Sequence, residues 1–372
     1  MGVGKFMKYL KSFFVSVLLC MSMGCRTIGP GSLQQTHPQY NHAISKSLDE
    51  QFLLNLVRLK YRDNPFFLEV SSVTTQQSVQ GDLSASVKFS GAGDSLTPSA
   101  GFTYKETPTI SYSPLRGDQF LKQILSPVPL EAVLILTQSG WSVERVVKVC
   151  VERANGLDNA SNASGPTPSR EPRYERFKEM AEILRELQVA DALELGAAVA
   201  LGGEDDAVKV SGDLVLRLKP QAELQPRISR LQELLGVKFV DNELRLTNNF
   251  LNRPENGLAV RTRSMMGIFF YLSHNSEVPL AHRETGLVTQ TKSKDGELFE
   301  WAKVTGDLFR VRSSTSKPVS SFVAVPYRGN WFYIADNDLE SKSTFMLLTQ
   351  LFNLQAGQIK TVAPALTIGV GG

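Results

Sequence analysis

Cysteine is scarce in this 372-residue chain, with only Cys20, Cys25 and Cys150 present. No CxxC pair exists, which excludes a thiol redox couple and a thiolate zinc cluster. Histidine is almost as rare: His37, His42, His274 and His282 are the four, and none pair at HxxxH or HExxH spacing. A zinc protease is therefore not expected. There is no P-loop, no GxGxxG fingerprint and no GxSxG elbow, so the usual phosphate, dinucleotide and α/β-hydrolase signatures are missing. Excess charge is lacking too. The formal net charge of +3 is accounted for by Lys5, Lys8 and Lys11, and the rest of the chain balances 37 basic against 37 acidic residues. That balance offers no electrostatic reason to bind nucleic acid. No apolar run reaches the ~20 residues needed to span a bilayer as a helix.

The N-terminus carries the strongest positive signal. Lys5, Lys8 and Lys11 form a basic region, Phe13 to Met21 a short apolar one, and Ser22-Met23-Gly24 lead directly to Cys25. This order describes a secretory signal that is removed on export. Gly24-Cys25 resembles the end of the bacterial lipobox, although Ser22 stands where Leu is usual. The resemblance implies cleavage after Gly24 and a diacylglycerol and N-acyl lipid on Cys25, with no other cofactor expected. Arg26 occupies the second position after cleavage. By the same resemblance, this favours the outer membrane, with the body facing the periplasm. N-myristoylation does not fit, because Phe6 replaces the required Ser or Thr. With Cys20 removed and Cys25 acylated, Cys150 is left alone, and Val146-Val147-Lys148-Val149-Cys150-Val151 reads as a buried core segment.

The periodicity predicts an α+β fold in which helices pack on antiparallel sheets, divided into two or three small domains. Residues 25–41 read as a Gly/Pro/polar tether. An N-terminal α+β domain is expected over 42–157, opening with an amphipathic helix from Ala43 to Tyr61 that carries Leu48, Phe52, Leu56 and Leu59 on one face. Within it, Leu83, Ala85, Val87 and Phe89, then Ala100, Phe102 and Tyr104, alternate with polar residues. This predicts a hairpin over 81–105 with a polar tip from Gly91 to Ser99. Residues 158–171, rich in Asn, Ser, Gly and Pro, read as a linker. A middle α+β module is expected over 172–248. A C-terminal unit over 257–360 is expected to run helix, strands, helix, with strands at 286–292, 297–304, 308–314, 320–327 and 331–334, and a tail over 361–372.

Several short motifs have ordinary structural readings. Ser314-Thr315-Ser316-Lys317 matches SxxK, but Pro318 follows and no helix start or companion motif accompanies it, so a hairpin turn is expected. Asp336-Asn337-Asp338 lacks the Gly and distal Glu of a calcium loop, which leaves Asp338 as a helix N-cap. Arg310 and Arg312 lie on one strand face. Trp301, Trp331, Phe332 and Tyr333 read as packing of a C-terminal sheet.

Three stretches, Leu53 to Asp63 with Pro65, Pro108 to Leu115, and Asp338 to Phe345 running on to Leu354, resemble a family of predicted outer-membrane lipoproteins of Gram-negative bacteria. The resemblance implies a lipoprotein and no particular activity. The reading is of a lipid-anchored envelope protein acting as a non-catalytic structural or interaction module, with the membrane and other envelope proteins as partners. An alternative is an oligomeric lipoprotein channel built from the hairpin, since each arm nears the ~9–11 residues of a membrane-spanning strand. A hydrolase acting on glycan or lipid is a third reading, without a catalytic constellation behind it.

Overall fold

The computed structural model describes residues 28–88, 95–197, 214–251, 253–254 and 257–356. Cys25, the signal and the tail from residue 357 lie outside them, as does the tip at 89–94. The fold is α+β, as the periodicity predicts. Residues up to Gln51 and residues from Phe52 onward form two separate compact units. Helix α1, Ile28–Lys60, spans this division and contains Pro38. The tether expected over 25–41 is thus helical from Ile28.

Strands β1, Leu68–Lys88, and β2, Ser95–Pro114, follow. Then come helices α2, Asp118–Leu125, α3, Leu130–Gln138, and α4, Val143–Cys150. Strands β3, Val151–Ala154, and β4, Leu157–Asp158, precede helix α5, Glu175–Val189. Next are β5, Leu193–Ala197, β6, Leu214–Leu218, α6, Gln225–Leu235, β7, Glu243–Thr247, and β8, Gly257–Thr262. The chain continues through α7, Met265–Ser273, α8, Leu280–Glu284, and α9, Ala302–Thr305. It closes with β9, Arg312–Ser314, β10, Val323–Tyr327, β11, Asn330–Ile334, and α10, Leu339–Ala356.

One six-stranded sheet has the order β4-β3-β8-β7-β6-β5, antiparallel throughout except for the parallel β7–β8 pair. It takes strands from all three expected domains, so the expected middle module shares its sheet with both flanks. Helices α5 and α6 cover it through Phe177, Met180, Leu184, Leu187, Leu231 and Leu235, all buried in one apolar cluster with Leu216, Leu244 and Leu258. A second cluster joins the end of α1 with α2, α7, α10 and the β10–β11 pair.

The expected linker over 158–171 is a packed segment. Asn159, Ala160, Ala163 and Thr167 are buried. Asn159 donates to the carbonyls of Lys148 and Val151 at 2.8 and 2.6 Å. Its polar composition satisfies neighbouring backbone groups from inside the fold, which composition alone cannot distinguish from solvation. Arg263 works on the same corner. Its fully buried guanidinium donates to the carbonyls of Lys148, Val149 and Val151 at 3.2, 3.2 and 2.8 Å, and also to Asn159. The last carbonyls of α4 have no helical partner, and Arg263 supplies one.

The C-terminal expectations hold in part. A helix over 258–273 is instead β8 followed by α7, with Ser264 capping α7 through Gly267 at 3.0 Å. Residues 286–292 and 297–301 contribute no named strand, and 302–305 are helical. Burial of Trp301, which donates to Thr291 at 3.0 Å, fixes that stretch as a packed turn. Apolar alternation there reflected packing around one large indole, not a pleated ladder. The three-stranded sheet has the order β10-β11-β9.

Candidate functional site

Strands β1 and β2 form a two-stranded antiparallel ribbon with arms of 21 and 20 residues. The predicted hairpin over 81–105 is therefore only its outer half. The inner half agrees with the strand pattern that the sequence carries from Phe66 to Tyr112, where Ile110 and Tyr112 continue the alternation, and Gln76-Gln77 and Thr107 interrupt the apolar pattern between the two halves. The expected polar tip is also shorter, because β2 already begins at Ser95. At about 3.3 Å per residue the arms are roughly 65 Å long. Among the described residues the ribbon pairs with no third strand, and no other element packs substantially on it.

The backbone register sorts residue types. Val79, Gly81, Leu83, Ala85 and Val87 stand opposite Tyr104, Phe102, Ala100, Pro98 and Leu96. The intervening positions, Gln80, Asp82, Ser84, Ser86 and Lys88, stand opposite Thr103, Gly101, Ser99, Thr97 and Ser95. With a period of two, the first set shares one face of the ribbon and the second set the other. Closer to the body the sorting breaks down, where Gln77 stands opposite Glu106 on the otherwise apolar face.

The root of the ribbon is bolted to the body. Asn55, buried in α1, donates to the Phe66 carbonyl and accepts from the Phe66 N–H, both at 2.9 Å. The N–H of Leu115 donates to the carbonyl of Phe67 at 3.0 Å, closing the two chain ends together. Phe67 is buried against Phe52, Phe120, Phe269 and Phe352, with ring centroids 6.4, 5.9, 5.3 and 5.1 Å away. Asp63 accepts from Tyr327 and, at 2.8 Å, from Arg328 in the β10–β11 turn. Burial opposes ionisation of Asp63, but the hydrogen bonds from Arg328 and Tyr327 prevail and hold its carboxyl below the usual range. Tyr61 shares a 2.8 Å hydrogen bond with Nδ1 of His282, and burial pushes its hydroxyl up to about 12.

The residue before Tyr61, Lys60, is buried and donates to the His274 carbonyl at 2.8 Å. Burial lowers its pKa to about 8. Burial, reinforced by Lys60, lowers His274 to about 3, leaving it a neutral ring tilted against Trp301 with centroids 4.5 Å apart. The sequence pattern alone does not bring these root residues together. One usable signal existed: Asn55 interrupts the apolar run Leu53-Leu54-Asn55-Leu56.

The other singled-out residues fall into structural roles. Cys150 is buried, and burial pushes its thiol up to about 12. The Ser314 hydroxyl donates to the Ser316 carbonyl at 2.6 Å, and Lys317 lies over Trp331 at 5.4 Å, so the two do not meet. Asp338 caps α10 through the N–H of Ser341 at 3.0 Å. Arg310 pairs with Glu277 at 2.6 Å. Trp301 packs on His274 and Phe299, and Phe332, in β11, is fully buried in the same apolar cluster. Among the described residues, no group of three or more His, Cys, Asp or Glu is placed to hold a metal, and no helix is long and apolar enough to cross a membrane.

Comparison with protein-family models, curated proteins and solved structures finds no match to this chain.

Proposed function

We propose that this is an envelope lipoprotein, anchored through Cys25 to the outer membrane with its body in the periplasm, and that it acts as a non-catalytic interaction module. The observation that carries the reading is the ribbon: roughly 65 Å of paired backbone that joins no third strand among the described residues and is bolted at its root to an aromatic core. A strand edge is a ready template for another chain. A rigid root aims that template, which suits assembly, secretion or maintenance of the envelope.

Palmitate labelling and membrane fractionation test the anchor. Cys25→Ser should abolish label incorporation and release the protein from membranes. Deleting residues 79–104 should leave the protein anchored and folded while removing it from crosslinked envelope complexes. Label retained by the Cys25→Ser variant, or complexes unchanged by the deletion, would count against the reading.

A further inference from the structure

We infer that copies of this chain join edge to edge through their ribbons and close into a β-barrel that crosses a membrane over residues 79–88 and 95–104. The inference rests on the anchored reading only for delivery to a membrane surface.

The first argument is length. The fully sorted part of the ribbon is ten residues per arm. Ten residues rise about 33 Å, and at the ~40° tilt of barrel strands they cover about 25 Å of membrane normal, the height of an outer-membrane apolar band. The band has a sharp inner limit. Phe102 and Tyr104 mark it, where barrels place aromatic girdles, and Lys105, Glu106, Gln76 and Gln77 follow at once.

The second argument is backbone accounting. A lone hairpin leaves the outward N–H and C=O groups of both arms unpaired, and each unpaired group in hydrocarbon costs several kcal/mol. Insertion therefore requires neighbours whose strands carry an apolar band at the same height. A second copy meets this requirement by construction. The outer edge of β1 meets the outer edge of β2 of the next copy, and those two strands run antiparallel automatically. The contact is heterologous, so rotation repeats it until a ring closes with an even number of strands. Pro98 is the one residue of the band without an N–H, so each junction loses at most one bond there.

The third argument is what closure would enclose. The other face of the ribbon carries Gln80, Asp82, Ser84, Ser86 and Lys88 opposite Thr103, Gly101, Ser99, Thr97 and Ser95, so closure with the apolar face toward lipid leaves a hydrophilic face to the lumen. Barrels of eight strands are filled by their own side chains, whereas ~16 strands leave an aqueous channel. Two strands per copy then imply about eight copies.

The test uses full-length lipidated protein, sized in detergent and reconstituted into planar bilayers. Adjacent substitutions of opposite parity are the decisive pair. Wild type should form a ring of one size and give stepwise conductance. Leu83→Arg, on the apolar face, should cut insertion and conductance at least tenfold, while Ser84→Arg should keep both and shift ion selectivity toward anions. An unchanged far-ultraviolet spectrum and melting transition of the body in both variants shows that folding is not the cause. A monomer without conductance, two variants that behave alike, or a barrel formed only with a different protein would each overturn the inference. If Cys25 labelling and membrane anchoring persist in any of those cases, the anchored reading survives the loss of the barrel.

Discussion

Body and ribbon use the same residue types to opposite ends. In the body, apolar periodicity is answered from within the chain: Phe67 meets four other phenylalanine rings, and α5 and α6 cover one six-stranded sheet. In the ribbon, the ten-residue apolar band finds no covering element among the described residues. An isolated two-stranded hairpin is marginal in water. Within the described residues, the support for the ribbon therefore comes from its root. The comparison separates stability, which resides in the body, from the function we propose for the ribbon.

The sharpest way to break that separation is a pair of large-to-small changes. Phe67→Ala should cost the body about 3–5 kcal/mol by emptying the aromatic cluster. Phe102→Ala, in the ribbon band, should leave the denaturant midpoint of the body unchanged. Denaturant unfolding followed by tryptophan fluorescence reads both, since Trp301 is buried in the body. An equal loss from the two variants would mean that the ribbon folds back onto a core and is not an independent arm.

Acid should weaken the body next. His274 has a folded pKa of about 3, lowered by burial and by Lys60, against about 6.5 unfolded. Between those values the unfolded chain binds the extra proton, so stability is full above pH 6.5 and falls as pH drops toward 3. The loss should be about 2–3 kcal/mol between pH 6.5 and 4.5. His274→Asn should flatten that slope while keeping the Lys60 bond, because Lys60 donates to the backbone carbonyl of residue 274. A slope that survives the substitution would place the titrating group elsewhere.

Asn55→Ala sits between the two regions. It removes both amide bonds to Phe66 and leaves a buried N–H and C=O without partners, a cost of about 2 kcal/mol. Hydrogen exchange should then quicken at Phe66 and Phe67 before it does so in α7. Uniform exchange across both would show that the root is not a separate bolt.

Much of this division was legible beforehand. Strong helical periodicity located α5, α6 and α10, and the alternation of Leu83, Ala85 and Val87 located the outer ribbon. What was missed has physical causes. The inner ribbon alternates at Ile110 and Tyr112 but is polar from Thr74 to Ser78, so the pattern shows strands there without showing that they join the outer hairpin in one long ribbon. The 158–171 segment was taken for a linker because buried Asn159 and Thr167 satisfy distant backbone groups, which only tertiary structure reveals. The single sheet across three expected domains depends on pairs such as Arg153 with Arg261, over a hundred residues apart. The root cluster is not visible in the sequence, because Asp63, Tyr327 and Arg328 are brought together by folding alone.

The smallest effect expected is also the most informative about the root. Asp63 is partly exposed, and its pairing with Arg328 is of a kind that contributes at most about 1 kcal/mol. Asp63→Ala should therefore barely move the melting transition. Yet Asp63 is the last side chain tying α1 to the β10–β11 turn before the chain turns at Pro65 into the ribbon, and it holds Tyr327 and Arg328 together. Arg328 in turn lies 5.3 Å over the Tyr61 ring and 5.6 Å over Tyr327, so loss of the carboxylate frees both faces of the joint. Spin labels at Glu69 and Ser113, which stand opposite each other at the ribbon root, read local order directly. Asp63→Ala should broaden their distance distribution, and Asp63→Asn, which can still accept from Tyr327, should restore part of it. If the distribution stays narrow in Asp63→Ala, then Asn55 and Phe67 alone aim the ribbon, and the charged cluster merely decorates the surface beside it.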